Sequence, residues 1–313
     1  MASTTNPVQT FIDPSFSVSE EDLKHFQEKG FLLLKSFFSK DLIRYIIDKI
    51  ESELSSPTDK YQSGFNRVRY DLFEYDAAIK GLMEDRAFRD QIKKLTERQM
   101  IFTHALAFEL NKGVSKGFPW HIGTQSFGFQ RAEDFGCTIW TPLIPIDPKA
   151  QRGGMAYVPK NKVSGDFMYT HVDPASFACL EERIQNHEEI FIEEFMLLRD
   201  GPLNDPGMKK LLDYYAVEDT FELGDAILFD KYVIHRSVML EDGPFDSRLS
   251  IAMRFADADS HYDLKRALDL EIPRKYWNYA GPTKFHLNVG NEDGQLLRNS
   301  PLFADSLQSR LLV

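Results

Sequence analysis

From about residue 100 the chain breaks into short β-rich runs separated by clusters of Gly, Pro and Asp. This punctuation limits its fold more than any other feature. The runs are Ile101 to Leu110, Cys137 to Ile146, Gly154 to Pro159, Phe221 to Phe229 and Leu249 to Phe255. Many short strands with turn signals between them indicate a barrel or a sandwich. The stretch from about 161 to 220 interrupts the pattern. It reads as helical and is acidic in the middle, with Glu181, Glu182, Glu188, Glu189, Glu193 and Glu194. An insertion of this length inside a barrel is expected to be a lid or a partner surface, or else a packing helix pair.

The first 98 residues carry different signals. Residues 1–18 are polar with two prolines and read as a flexible tail. Ser19-Glu20-Glu21-Asp22 resembles a capping box, and Gly30 closes the helix it opens. Phe31 to Leu34 fits a short buried strand. Ser39 caps a second helix, on which Leu42, Ile46, Ile47 and Ile50 form one apolar face. Residues 55–66 read as a loop and 77–98 as helical. The resulting division is a tail (1–18) and one domain (19–313). Within it, 19–98 is helical support, 99–262 a β core and 263–313 a C-terminal extension without clear periodicity.

Bulk numbers exclude some roles. The chain has 313 residues and a net charge of −11, which argues against a nucleic-acid-binding surface, since phosphates need Lys and Arg. Small basic clusters, Lys112 with Lys116 and Lys160 with Lys162, read as solvated loops. The 25 phenylalanines point to a large aromatic core or an apolar pocket. Two cysteines, Cys137 and Cys179, make no disulfide framework. No signal peptide or membrane-spanning run is visible, so a cytoplasmic location is the expectation.

Two histidines bracket a long β-rich stretch. His121 follows Gly117-Phe118-Pro119-Trp120. His235 follows a tight turn at Gly224-Asp225 and a buried run from Ala226 to Phe229. Either alone reads as a histidine satisfied by packing or solvent, but a pair so placed can converge on one metal because barrel strands return to the same mouth. A mononuclear iron oxygenase carries His, any residue, then Asp or Glu, and that carboxylate completes its three-ligand face. Here Gly123 stands in the carboxylate's place, in Trp120-His121-Ile122-Gly123. An iron site built this way has a vacated position, open to a small anion such as chloride.

Arg248 and Arg254 follow His235 by 13 and 19 positions. Strand-like alternation from Ser247 to Arg254 puts 248, 250, 252 and 254 on one face. Two inward arginines are costly unless an anion meets them, and Arg forks onto carboxylates. The other reading is an exposed arginine pair. Thr138 and Trp140 also share a face. By themselves they read as core residues.

Taken together, Trp120 to Gly123, Thr138-Ile139-Trp140, Gly153 to Pro159, His235, Arg248 and Arg254 resemble the phytanoyl-CoA dioxygenase-like iron/2-oxoglutarate enzymes. Within that superfamily the glycine at 123 is similar to the halogenating branch, including the halogenase domain of the curacin polyketide synthase. The likeness covers about residues 20 to 260. It implies a mainly β fold with flanking helices: a double-stranded β-helix (a cupin-like jelly roll) with a helical lid. It implies His121 and His235 as iron ligands. It also implies Arg248 on the distal carboxylate of 2-oxoglutarate, with Thr138 and Trp140 lining that pocket. Arg254 would support the chloride or the near end of the cosubstrate, and Gly123 would make room for the halide. The implied cofactors are Fe(II), 2-oxoglutarate, O2 and chloride. The implied reaction is chlorination of an unactivated aliphatic carbon of a natural-product intermediate. Its substrate is a small molecule or an acyl group tethered to a carrier protein. The chain reads as free-standing, with its own Met1, which departs from the curacin relative and puts the tethered substrate in question. One alternative is a hydroxylase of the same fold, with water or a distant carboxylate (Asp134 or Asp230) at the vacant position. The other is a non-catalytic jelly-roll binding protein.

Overall fold

The structure is a computed structural model describing residues 7–56, 64–72, 76–277 and 285–300, with the backbone of 311–312. Helix α1 (Glu20–Lys29) opens with a complete capping box between Ser19 and Asp22. It ends at Gly30, whose φ of +78° is the left-handed conformation a glycine adopts without penalty. The chain then enters β1 (Phe31–Leu34). Ser39 caps α2 (Lys40–Ile50), whose Leu42, Ile46 and Ile50 are fully buried. Each such side chain contributes about 1.5–3 kcal/mol of burial. A short strand, β2 (Arg67–Arg69), precedes α3 (Ala77–Glu84) and α4 (Arg86–Thr96), which Asp76 and Asp85 cap.

The β region begins with β3 (Met100–Asn111). After it come the one-turn α5 (Thr124–Phe127), β4 (Gly136–Pro142) and β5 (Met155–Tyr157). The insertion follows as a π-helical turn (Met168–Val172), α6 (Asp173–Gln185), α7 (Ile192–Asn204) and α8 (Pro206–Tyr215). Strands β6 (Ala226–Asp230), β7 (His235–Ser237) and β8 (Ser247–Asp257) return to the core. The C-terminal part adds α9 (Leu264–Asp269), α10 (Glu271–Trp277), α11 (Phe285–Asn288) and β9 (Leu311–Leu312).

The large sheet runs β1-β6-β4-β8-β3-β2, with β9 also on β3, and all its pairings are antiparallel. Its outer face carries Leu32, Leu34, Cys137, Ile139, Leu228, Ile251, Met253 and Phe255. These pack with Leu42, Ile46, Leu82, Phe88 and Ile92 of the N-terminal helices. The alternate residues face inward. Opposite them lies a small sheet of β5 and β7, extended by single bridges His121 to His235 and Tyr157 to Val217.

The antiparallel core agrees with expectation, and several particulars differ. Among the described residues helices outnumber strands, so the fold is mixed rather than mainly β. Residues 7–18 are not a loose tail. Val8, Phe11, Ile12 and Val18 are buried in the core under the N-terminal helices, and Ile12 bridges Phe38. The run from Cys137 leaves the sheet at Pro142, and Ile146 makes only a bridge to Phe221. Part of the 55–66 loop lies outside the described residues. The insertion is helical, but its Met168, Tyr169, Leu203 and Leu212 pack behind Trp120, Ile122 and Ile234. It therefore buttresses the histidine-bearing sheet from outside.

Candidate metal and cosubstrate site

His121 and His235 are joined through their backbones. Each N–H donates to the other's carbonyl, at 2.9 and 3.0 Å, which brings the ring centroids to 4.2 Å. Nδ1 of His121 lies 2.8 Å from the carbonyl of Pro119, and Nδ1 of His235 lies 2.8 Å from that of Val233. A carbonyl only accepts, so each Nδ1 carries the proton and each Nε2 keeps its lone pair, the form that binds a metal. Burial depresses both imidazoles, His121 to about 4 and His235 well below its ordinary value, where the neighbouring His121 adds to the effect. Both rings are thus neutral at physiological pH. Among the described residues, no third His, Cys, Asp or Glu joins them in a metal-binding cluster. The nearby Asp200 is held by the Arg199 guanidinium at 3.0 and 3.1 Å.

Two adjoining cavities of about 40 and 50 Å³ meet at His121 and Arg254. The first is lined by Tyr70, Leu106, Phe108, Phe118, Ile122, Gly123, Gln125 and Ser126. The second holds His235, Trp140, Phe229, Met155 and the β8 face of Arg248, Ser250, Ala252 and Arg254. The alternation read from the sequence therefore places those four β8 residues together, facing inward. Neither cavity takes a lining residue from 161–220.

Arg248 is 2% exposed. Its Nε donates to the carbonyl of Gly153 at 2.8 Å, its Nη1 donates to Ser250 Oγ at 2.5 Å, and its fork lies 5.6 Å from the Trp140 ring. Among the described residues no carboxylate pairs with it, and burial pushes its pKa down to about 9. A buried guanidinium held by two neutral acceptors and a ring face is a site prepared for an anion. Arg254 donates to Thr138 Oγ1, its cross-strand neighbour. Thr138 lines neither cavity, so it acts by holding Arg254. Trp140 does line the Arg248 cavity.

Asp134 and Asp230 do not reach the site. Asp134 accepts from the His261 backbone at 2.7 Å. Asp230 is ion-paired with Lys160 and accepts from the Tyr232 backbone at 2.7 Å. Sequence reading missed Gly153 and Ser250 as the groups that orient Arg248. Gly153 was visible only as part of a glycine pair. Its φ of +117° and the Leu240 side chain, which would lie 2.6 Å from a Cβ there, explain why it is glycine.

No protein-family model and no curated protein matches this chain. Solved structures do. SnoK, a non-haem α-ketoglutarate-dependent carbocyclase from nogalamycin biosynthesis, superposes with a TM-score of 0.56 at 12% identity, over 80% of this chain and 89% of its own. SnoN, a non-haem α-ketoglutarate-dependent epimerase from the same biosynthesis, gives 0.53 at 13% over 78% and 84%. Iron-bound EctD from S. alaskensis gives 0.53 at 15% over 83% and 84%. At such identities the likeness is one of fold: an antiparallel, cupin-like sheet core with helices around it.

Proposed function

We propose that this chain is a non-haem iron(II)/2-oxoglutarate/O2-dependent oxidoreductase of the halogenating kind. Its proposed reaction places chlorine on an unactivated aliphatic carbon of a natural-product intermediate, free or carrier-tethered, in the cytoplasm. One observation carries the reading. Two neutral imidazoles stand where two adjoining cavities meet, one lined by Gly123 and the other by Arg248, and among the described residues no carboxylate joins the imidazoles in a metal-binding cluster. The donor chemistry fits ferrous iron, for which imidazole is a suitable ligand, and the missing third ligand leaves room for an exogenous anion. The fold shared with SnoK, SnoN and iron-bound EctD supports the class, since their descriptions name α-ketoglutarate dependence or iron.

Bound here, iron with 2-oxoglutarate and O2 would supply the oxidising power to take hydrogen from an aliphatic carbon, and chloride beside it the atom that replaces it. The protein's part is positional. His121 and His235 would hold the metal with tautomers fixed by Pro119 and Val233. Arg248 would pair with the distal carboxylate of 2-oxoglutarate, closing a charge that burial otherwise leaves exposed to its own desolvation cost. Trp140 would wall that carboxylate, and Thr138 would fix Arg254 between the two cavities. The Gly123 cavity, walled by Tyr70, Leu106, Phe108 and Phe118, would present the carbon substrate.

The test is aerobic turnover with Fe(II), 2-oxoglutarate and candidate substrates, followed by intact mass, with chloride present and then removed. Chlorinated product that disappears without chloride is expected. Oxygen insertion independent of chloride would select the hydroxylase with water at the third position. Absence of iron-dependent succinate release across the substrate panel would select the non-catalytic binding protein.

A further inference from the structure

Building on that reading, we infer that Phe127 is a positioning residue that keeps the third ligand position free of a side chain. A Cβ added at Gly123 would lie 3.1 Å from both Cδ2 and Cε2 of Phe127. The opposite edge of the ring is blocked as well, because a Cβ at Gly136 would lie 2.7 Å from Cδ1 and Cε1. The ring thus sits between two glycines, one beside the histidine ligand and one at the start of β4. Phe127 is fully buried, and its carbonyl accepts from the Tyr169 hydroxyl at 2.7 Å. A ring so held has little room to yield to a side chain at 123, because Gly136 of β4 lies close against its other edge. Gly123 therefore does more than omit a carboxylate. Where a carboxylate-bearing side chain would begin, an aromatic edge presses closer than an ordinary contact, so packing disfavours a side chain there.

The experiment uses the full chain and five variants: Gly123→Ala, Gly123→Asp, Phe127→Leu, and each Gly123 change combined with Phe127→Leu. Phe127→Met replaces the leucine variant should the latter not fold. Thermal unfolding without metal reads the packing. Gly123→Ala should lower the midpoint by several degrees, and most of that loss should vanish in the Phe127→Leu background. Anaerobic Fe(II) with 2-oxoglutarate reads the ligand position through its visible charge-transfer absorption. In the parent protein and in Gly123→Asp the absorption should shift on adding chloride. In Gly123→Asp with Phe127→Leu it should not, and Fe(II) should bind about tenfold or more tightly. A Gly123→Asp protein as stable as the parent and insensitive to chloride would overturn the inference, as would additive midpoints in the alanine series. Failure of the parent protein to bind Fe(II) with 2-oxoglutarate would instead overturn the functional reading and the ligand-position claim with it. The additivity test would then still judge the ring's place between the two glycines.

Discussion

Arg248 is a buried cation without an acidic partner among the described residues, and this determines how it responds to replacement. Arg248→Met keeps much of the side-chain volume and removes the charge. In the ligand-free protein it should raise the unfolding midpoint, because an uncompensated buried charge is lost. The same variant should lose the stabilisation that 2-oxoglutarate gives the parent, corresponding to about 2–5 kcal/mol of binding. A thermal-shift titration reads both, and a 2-oxoglutarate shift of undiminished size would refute Arg248 as the carboxylate's partner. His121→Ala should weaken Fe(II) binding by more than about 100-fold while leaving the fold intact, measured by metal content after desalting and by circular dichroism. At this scale much of the candidate site was legible. Residue type and spacing singled out the histidines and β8 arginines that the fold brings together. Phe127 and Ser250 did not, because nothing local separates an aromatic clamp from a core phenylalanine, or a guanidinium's anchor from any strand serine. Asp134 and Asp230 misled for the complementary reason: sequence shows a carboxylate but not the His261 backbone or Lys160 that already engages it.

Local chemistry explains which elements could be read in advance. The helices with capping residues, α1 and α2, were evident because a cap and its amides lie within a few residues of each other. Ser39 illustrates the energetics: its hydroxyl accepts from the Leu42 N–H at 3.1 Å inside the core. Ser39→Ala should cost about 1 kcal/mol, seen as a lower denaturant midpoint at unchanged slope. The alternation of β8 was equally plain, since one face meets the cavity and the other the N-terminal helices. Elements created by distant partners were not readable. Residues 7–18 look polar in isolation, yet Phe11 and Ile12 are buried with the N-terminal helices, and Ile12 bridges Phe38. The 161–220 insertion advertised helices but not their direction. Met168, Tyr169, Leu203 and Leu212 face the back of the histidine sheet while Phe177, Leu180 and Phe195 pack with Leu270, and no local pattern distinguishes that docking from closure over a cavity.

Across the whole molecule, two sets of buried groups push stability in opposite directions over nearly the same pH range. Asp173 is raised by burial from 3.8 to about 6, so between those values the folded state binds more protons than the unfolded, and stability falls as pH rises. His121 is depressed from 6.5 to about 4, with His235 also lowered. There the unfolded state binds more protons, and stability rises with pH. The two trends partly cancel in the metal-free protein. Asp173→Asn removes the first alone, so its midpoint should drop more steeply than the parent's as pH is lowered from about 6 to 4. Parallel midpoint curves for the two proteins would refute the assignment. The sheet arrangement separates these duties in space. N-terminal helices cover one face of the large sheet, the cavities open on the other, and no helix among the described residues is long and apolar enough to cross a membrane.

The reciprocal main-chain bonds between His121 and His235 have a practical corollary. The gap between the two imidazoles is dictated by peptide geometry, so under the proposed reading the pair is preformed before any ion arrives. Stripping the protein with a chelator should leave its circular dichroism unaltered. Under the proposed reading, redox-silent divalent surrogates should then slot in and out freely, and failure of any to bind would count against the pair as metal ligands.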